Sequence, residues 1–345
     1  MVKKYFALLS AIVAAALINS SASYAVWNGE DAKSNTRTVA IYSGEPGVVS
    51  PVAFSGFLYS PNIVFTVAHG FYGDDRFDDP ILKNGLYSVG YPGDAAKAIA
   101  KRVLVRKYFL ASDFITRNMF QVNGDRISRK NDFAVLVLSE SLPIDSRKVE
   151  LLTPELHNRL IESGEQISIT GYGFQNKEME LNPNSIERDL PRLPKTLQMS
   201  MAGKQVPLET LQDTFPYDFY PGRKFIYDQT LNVKLPSGSK STICSGDSGS
   251  PFYIDGAEKI TYLGAVSSGI GSANCGSMSW SQGGGYGSGD PVYLFSGLIK
   301  QAEDYLKTMN KPVITKKKTI SCVKGKTVKK VSGITPKCPA GFKQR

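Results

Sequence analysis

The sequence predicts an all-β protein, either a sandwich or a barrel, on two observations. First, apolar and β-branched segments recur along most of the chain, and Gly, Pro, Asn and Asp separate them. These segments are VAFSGFLYS (52–60), NIVFTVAHG (62–70), DFAVLVL (132–138), QISITGYG (166–173), KFIYDQTLNVKL (224–235) and KITYLGAVSSG (259–269). Second, there are few helical runs between them, and clear helical periodicity begins only after residue 293.

The N-terminal residues 1–25 have the pattern of a signal peptide. Lys3 and Lys4 precede an apolar stretch at 5–17, and small residues end the segment at Ala25. That stretch is shorter than the roughly 20 apolar residues that a membrane-spanning helix needs. We therefore expect cleavage after Ala25 and a secreted protein, either extracellular or associated with the cell surface.

The C-terminal part predicts a helix followed by a separate tail. Apolar residues recur at helical spacing, and they are Leu294, Leu298, Ile299, Ala302, Tyr305 and Leu306. Residues 311–345 then contain eleven Lys and Arg and no Asp or Glu. The sequence thus predicts a main domain at 26–310, divided into halves near 146–160, and a basic tail at 311–345.

The distribution of charge argues against a nucleic-acid-binding protein. Of the net charge of +10, the tail supplies eleven positive charges and the signal peptide two, which leaves −3 for residues 26–310. For the tail, two interpretations stay open: it binds an anionic polymer of the cell surface by charge, or it only aids solubility.

The four cysteines predict two disulfides, because an exported chain meets an oxidising compartment. They fall into two local pairs, Cys244 with Cys275 and Cys322 with Cys338, and the second pair would close a small hairpin. No cysteine or histidine spacing is typical of zinc, so we expect no metal and no cofactor. The acidic segment at 73–80 is interpreted as a solvated loop rather than a calcium site.

Three stretches carry residues that suit nucleophilic catalysis. Ser248 lies in CSGDSGSP (244–251), His69 ends an apolar strand in TVAHG (66–70), and Asp132 precedes the buried strand of NDFAVLVL (131–138). A serine hydroxyl is a weak nucleophile until an imidazole accepts its proton, and a carboxylate fixes the tautomer of that imidazole. The other histidine, His157, has polar neighbours and is predicted to lie on the surface.

Over residues 26–310 the chain resembles the chymotrypsin/trypsin family of serine endopeptidases. The resemblance is carried by SGFLYSPNIVFTVAHG, NDFAVLVL, TGYG (170–173), CSGDSGSP, VSSG (266–269) and DPVYLFSGL. The order His, Asp, Ser is also that of this family. The implied fold is two six-stranded antiparallel β-barrels with the active site between them.

The resemblance also implies a role for each matching residue. Ser248 would be the nucleophile, His69 the general base and then acid, and Asp132 the carboxylate that orients it. The N–H groups of Gly246 and Ser248 would form the oxyanion hole. Substrate would pair as an added strand with the segment Ser267, Ser268 and Gly269.

Asp247, directly before the nucleophile, is implied to form an ion pair with a new N-terminal amine. In the family that amine arises by an activating cleavage. Here Val26 follows Ala25 directly, so removal of the signal peptide would itself release the amine. The sequence therefore predicts activation on export without a separate propeptide.

The chain departs from the family at several positions, including Ser250 in place of a glycine and Ser268 in place of the aromatic residue behind the substrate strand. Phe54 and Gly70 stand where the family has cysteines beside the histidine, so packing must hold the histidine loop. Thr242 and Ile243 lie at the expected base of the primary specificity pocket, where no charge is available for a basic substrate side chain, and Pro291 is expected in the pocket wall. A neutral P1 residue is therefore predicted.

Two other classes of function stay open beside a secreted endopeptidase that acts as a monomer on proteins or peptides. One is an inactive protease homologue that serves as a binding module. The other is a surface adhesion protein in which the tail is the main functional part. Intact His69, Asp132 and Ser248 favour the enzyme.

Overall fold

The computed structural model describes most of the predicted strands and the catalytic candidates. The residues described are 26, 29–32, 37–46, 52–71, 87–91, 102–111, 126–128, 131–173, 194–202, 224–226, 231–235, 239, 241–244, 246–270, 286–309, 318–333 and 335–345. The predicted signal peptide, Cys275 and the acidic segment 73–80 lie outside them.

Most elements of the described chain are short strands. In the first half these are β1 (Glu30–Asp31), β2 (Thr38–Ser43), β3 (Val52–Ser60), β4 (Ile63–Thr66), β5 (Tyr87–Gly90), β6 (Val103–Leu110), β7 (Arg126–Ser128), β8 (Ala134–Leu138) and β9 (Lys148–Leu151). The second half contains β10 (Gln166–Gly171), β11 (Lys195–Ala202), β12 (Lys224–Ile226), β13 (Leu231–Lys234), β14 (Pro251–Asp255), β15 (Lys259–Ala265), β16 (Ser268–Ile270) and β17 (Tyr286–Gly289). The tail adds β18 (Lys318–Lys324), β19 (Thr327–Gly333) and β20 (Lys343–Gln344).

Six strands of the first half close a barrel in the order β2-β3-β4-β8-β6-β5. All its neighbouring strands run antiparallel, and β8, which pairs with β4 and β6, is buried along its whole length. Aromatic rings join this barrel to the second half: Phe65 packs against Phe133 with ring centroids 5.4 Å apart and against Tyr262 on β15 with ring centroids 5.2 Å apart. This barrel brings the end of β4 beside the start of β8.

The second half forms a nine-stranded sheet whose central strands follow the order β16-β17-β13-β11-β10-β14-β15. β15 continues through Val266 and Ser267 into β16, which pairs with β17 at the other end of that order. The sheet therefore returns on itself as a second barrel of six strands, with β15 and β16 as one bent strand. The predicted pair of six-stranded barrels is confirmed.

Among the described residues, two α-helices accompany the strands. The predicted C-terminal helix is present as α2 (Ser296–Met309), with Ile299 and Ala302 buried, whereas Leu294 lies in a preceding 3-10 helix and is exposed. The sequence analysis did not predict α1 (Pro154–Ser163). Its start is nevertheless favourable, because the Thr153 hydroxyl accepts the N–H of Leu156.

The surface position predicted for His157 is wrong. His157 lies on the inner side of α1, only 4% exposed, and its Nδ1 is 3.1 Å from the Tyr293 hydroxyl. Leu160, three residues later, is buried on the same side. Polar sequence neighbours are thus a poor guide on a helix, where residues three apart share a face.

A cluster of basic and acidic side chains fixes the segment that connects the two barrels. The Arg37 guanidinium donates to Asp145 at 2.9 Å and to the carbonyls of Tyr59 and Arg147. Arg147 donates to Asp145 at 2.8 Å and to Asp255 at 2.5 Å. β2, the connecting segment and the turn after β14 are therefore tied together by charge-assisted hydrogen bonds.

This cluster predicts an acid-sensitive stability. Burial alone would raise the pKa of Asp145, but hydrogen bonds and charge from Arg147 and Arg37 lower it below its usual 3.8. Because the folded-state pKa is the lower one, the stabilisation is full above about pH 3.8 and is lost as pH falls through the folded-state pKa. We expect the free energy of urea unfolding to fall less steeply in Asp145→Asn than in the unmodified protein as pH drops below about 4. Equal slopes of unfolding free energy against pH in the two proteins would contradict this prediction.

The described chain divides into two compact units. One ends at Glu303, and the other is Asp304–Arg345. In the second unit β19, β18 and β20 form an antiparallel sheet, and the predicted disulfide between Cys322 and Cys338 is present. None of the described helices is both long enough and apolar enough to cross a bilayer.

Candidate active site

The three predicted catalytic side chains meet between the two barrels. His69 opens a 3-10 helix directly after β4, and its Nε2 is 2.9 Å from Ser248 Oγ. Its Nδ1 is 2.6 Å from Asp132 Oδ2. An imidazole whose Nδ1–H donates to a carboxylate has its lone pair on Nε2, so this arrangement can accept the proton of the serine hydroxyl.

The Asp132 carboxylate is fully buried and receives three donors. Oδ1 accepts the backbone N–H of His69 at 2.8 Å, and Oδ2 accepts Nδ1–H of the same residue. The Ser267 hydroxyl also donates to Oδ2, at 2.5 Å. Hydrogen bonds to the charged form favour ionisation, so Asp132 is held as an acceptor that orients the imidazole.

The backbone around Ser248 is suited to binding an oxyanion. Gly246 has φ of 90°, in the left-handed region that favours glycine. Among the described residues, neither the N–H of Gly246 nor that of Ser248 donates to another backbone group. Both amides are therefore available to a ligand on the nucleophile side of the cleft.

Asp247 is buried below this loop and binds two amides. Its Oδ1 accepts the N–H of Gly173, and its Oδ2 accepts that of Cys244, both at 2.8 Å. A side chain at Gly171 would come within 2.2 Å of the same carboxylate, so the TGYG segment must be glycine-rich to lie against it. The carboxylate thus fixes the loop from inside.

Val26 is fully buried. A series of backbone contacts connects its segment to the glycine that lies against Asp247. Its carbonyl accepts the N–H of Gly29, and the following strand β1 pairs with β11. β11 in turn pairs Lys195 with Gly171, which lies against Asp247. The predicted activating residue and its predicted carboxylate therefore lie in the same part of the second barrel.

A residue missed by the sequence analysis, Ser55 on β3, joins the two barrels. Its hydroxyl donates to the Gly246 carbonyl at 3.1 Å and accepts the N–H of Tyr172 at 2.9 Å. Its own N–H donates to the Ser248 carbonyl at 2.8 Å. The nucleophile loop is thus held by the first barrel as well as by Asp247, and no local sequence pattern indicates this.

The predicted pocket residues are apolar or uncharged and buried. Thr242 and Ile243 are 4% and 3% exposed, and the Thr242 hydroxyl donates to the Ile243 carbonyl. Gly287 on β17 lies against Ile243, where an added Cβ would be 2.5 Å from its Cδ1. Pro291, which is expected in the pocket wall, forms an isolated antiparallel bridge with Gly264.

The predicted substrate-binding segment forms one edge of the second sheet. Ser268 pairs with Ser288 and Gly269 with Gly287, so one edge of β16 is occupied by β17. Within the described residues β16 is the last strand on its side of the sheet. Its other edge can therefore accept an extended peptide by backbone hydrogen bonding.

Of the first predicted pair, Cys244 with Cys275, the structure describes Cys244. Cys244 is disulfide-bonded and 3% exposed. Cys275 lies outside the described residues.

Comparison with known proteins gives one family. A family model described as Trypsin matches residues 26–280. This range includes every residue named in the description of this site except Gly287, Ser288 and Pro291. No curated protein matches the chain.

Proposed function

This chain belongs to the trypsin family of serine proteases, and from that premise we propose that it is an active endopeptidase with Ser248 as nucleophile. The observation that carries the proposal is the continuous hydrogen-bonded series from Asp132 through His69 to Ser248 Oγ, with contacts of 2.6 Å and 2.9 Å. A binding module has no need of a serine hydroxyl directed at the acceptor nitrogen of an oriented imidazole.

In the first half of the reaction, Ser248 Oγ forms a bond to the scissile carbonyl carbon, and its proton passes to His69 Nε2. The carbonyl oxygen becomes an oxyanion that receives the N–H groups of Gly246 and Ser248. When the tetrahedral intermediate collapses, the C–N bond breaks and His69 donates its proton to the departing amine. The product is an acyl-enzyme on Ser248.

Water then completes the cycle by the same route. The oxygen of a water molecule attacks the ester carbon while His69 Nε2 accepts a proton from that water. The same two amides bind the second oxyanion. Collapse releases the carboxylic acid and returns the proton to Ser248 Oγ. Asp132 stays ionised throughout and stabilises the imidazolium that forms twice.

We infer a preference for a neutral P1 side chain. Thr242 and Ile243 bring no charge to the pocket base, and the Ile243 side chain packs directly against Gly287. A lysine or arginine of the substrate would lose its hydration there without gaining a carboxylate partner. Protein or peptide substrates would therefore be cut after uncharged residues.

The test of the activity is labelling with a fluorophosphonate probe, whose phosphorus is attacked by an activated serine. We expect the purified secreted protein to be labelled and to cleave a peptide library after neutral residues. Ser248→Ala should show neither reaction, while Ser250→Ala, in which the neighbouring serine is changed, should keep both. Absence of labelling in the unmodified, folded protein would instead favour the inactive homologue.

We further propose that the protein is secreted, acts as a monomer and is retained at the cell surface by its tail. Eight Lys and Arg and no Asp or Glu lie in the described part of the tail. Charges of one sign on a small disulfide-bonded sheet suit a polyanion of the cell wall or membrane surface. A chain truncated after Asn310 should lose salt-sensitive binding to cells, and unchanged binding would leave the tail as a solubilising segment.

A further inference from the structure

A second carboxylate, Asp290, lies directly behind the catalytic aspartate. It follows β17, is 4% exposed, and its Oδ2 accepts the backbone N–H of Asp132 at 3.0 Å. The two residues are 158 positions apart in the chain and belong to different barrels. The sequence analysis gave Asp290 no role.

The backbone of Asp132 needs such support because it follows a strained turn. Asn131 has φ of 57°, in the left-handed region that non-glycine residues seldom adopt. The N–H of Phe133 bonds to the Asn131 carbonyl at 3.0 Å, which closes the turn around Asp132 itself. A turn of this kind persists only when surrounding contacts determine it.

The contacts that determine this turn come from the second barrel. The Ser267 hydroxyl binds the Asp132 carboxylate, and Asp290 binds its amide, so donor and acceptor of the same residue are both engaged. Ser267 and Asp290 belong to adjacent segments of the second barrel, because the Ser267 N–H donates to the Ser288 carbonyl at 2.9 Å. Two adjacent segments of the second barrel thus hold Asp132, one at its carboxylate and the other at its backbone amide.

Asp290 is itself well fixed. Its carbonyl lies so close to Gly264 that an added Cβ there would be 2.4 Å away, and Pro291 forms a bridge with that glycine. Farther along the same segment, Phe295 stacks on Phe133 with ring centroids 4.5 Å apart. The stack holds the neighbouring residue of the turn independently of the Asp290 carboxylate.

We propose that Asp290 is a positioning residue that acts on the catalytic triad from outside it. Asp290 fixes the backbone of Asp132 and thereby the orientation of the His69 imidazole. This rests on the proposed function of the same site. The role requires an acceptor at the position of Oδ2 and does not require its charge. Misplacement of reacting groups by about 1 Å can cost roughly 10²-fold in rate.

The experiment measures kcat and KM per active site, with active sites counted by fluorophosphonate labelling. We expect Asp290→Ala to lower kcat about 10- to 100-fold with KM changed less than about threefold. Asp290→Asn, whose amide oxygen can accept the same N–H, should stay within about threefold of the unmodified kcat. Asp255→Ala is the matched control, because it removes an acidic partner of Arg147 that makes no contact with the triad among the hydrogen bonds described, and it should leave kcat unchanged.

Counting active sites separates positioning from folding, since a merely structural role would lower the number of labelled sites and not the turnover of each. An unchanged kcat per site in Asp290→Ala would overturn the proposal. So would an Asp290→Asn variant as slow as Asp290→Ala, because the charge rather than the acceptor would then matter.

If Asp290→Ala does not fold, Asp290→Glu replaces it, since the longer side chain keeps the charge but displaces the acceptor. The proposal expects the Glu variant to be slower than the Asn variant, and the reverse order would overturn it. Absence of labelling in the unmodified protein would refute the proposed function itself, a result distinct from any of these.

Discussion

Asp132→Asn is expected to lower kcat by about 10⁴-fold while leaving the fold intact. The carboxylate now accepts from the backbone N–H of His69, from its Nδ1–H and from the Ser267 hydroxyl. An asparagine offers one oxygen and one NH₂ group, so one of these donors must face another donor. If the NH₂ group faces Nδ1, the imidazole proton moves to Nε2, which can then no longer accept the proton of Ser248.

The measurement is steady-state hydrolysis of a peptide cut after a neutral residue, with the folded fraction checked by circular dichroism. Ser267→Ala is the matched control, because it removes one donor but leaves the carboxylate and both His69 bonds. Its kcat should fall far less than that of Asp132→Asn. A variant Asp132→Asn that kept a tenth of the original kcat would show that His69 is oriented by something else.

One additional residue before Val26 is expected to lower kcat/KM by about 10²- to 4 × 10³-fold. Val26 is fully buried in the part of the second barrel that holds Asp247. With a free amine at Val26, the proposed ion pair would add to the two amides that Asp247 already accepts and hold the oxyanion loop. Breaking a buried pair on one side costs roughly 3–5 kcal/mol, and each 1.4 kcal/mol corresponds to tenfold.

A double-mutant cycle assigns this loss to the pair. Asp247→Asn should reduce the activity of the chain that begins at Val26, and the extra residue should then cause little further loss. Mass analysis of the secreted protein should give an N-terminus at Val26. Full activity of the extended chain, or a mature start at another residue, would contradict activation by removal of the signal peptide.

The residues that lie in contiguous motifs could be predicted from the sequence. His69 and Asp132 each adjoin a run of apolar residues that predicts a buried strand, and Ser248 lies in a distinctive glycine-rich loop. The number of strands in each barrel followed from the family resemblance. The location of these residues beside one cleft could then be expected before any coordinates.

The contacts between barrels could not be predicted in this way. Ser55 and Asp290 each begin a stretch that carries the family resemblance, but their hydrogen-bond partners are 191 and 158 residues away. Which side chain meets which amide depends on strand register and on how the barrels pack, and neither has a local pattern. His157 shows the converse error, since only the packing of α1 against Tyr293 reveals that it is buried.

The loop that carries His69 is secured by aromatic packing. Phe54 meets Phe71 edge-to-face at 5.1 Å between ring centroids, and its ring occupies the space beside Gly70, where an added Cβ would be 2.8 Å from Phe54 Cε1. All four cysteines of the chain lie beyond residue 243. The first barrel, which carries His69 and Asp132, therefore forms without a disulfide. We expect thiol reductants to leave the position of the His69 imidazole unchanged.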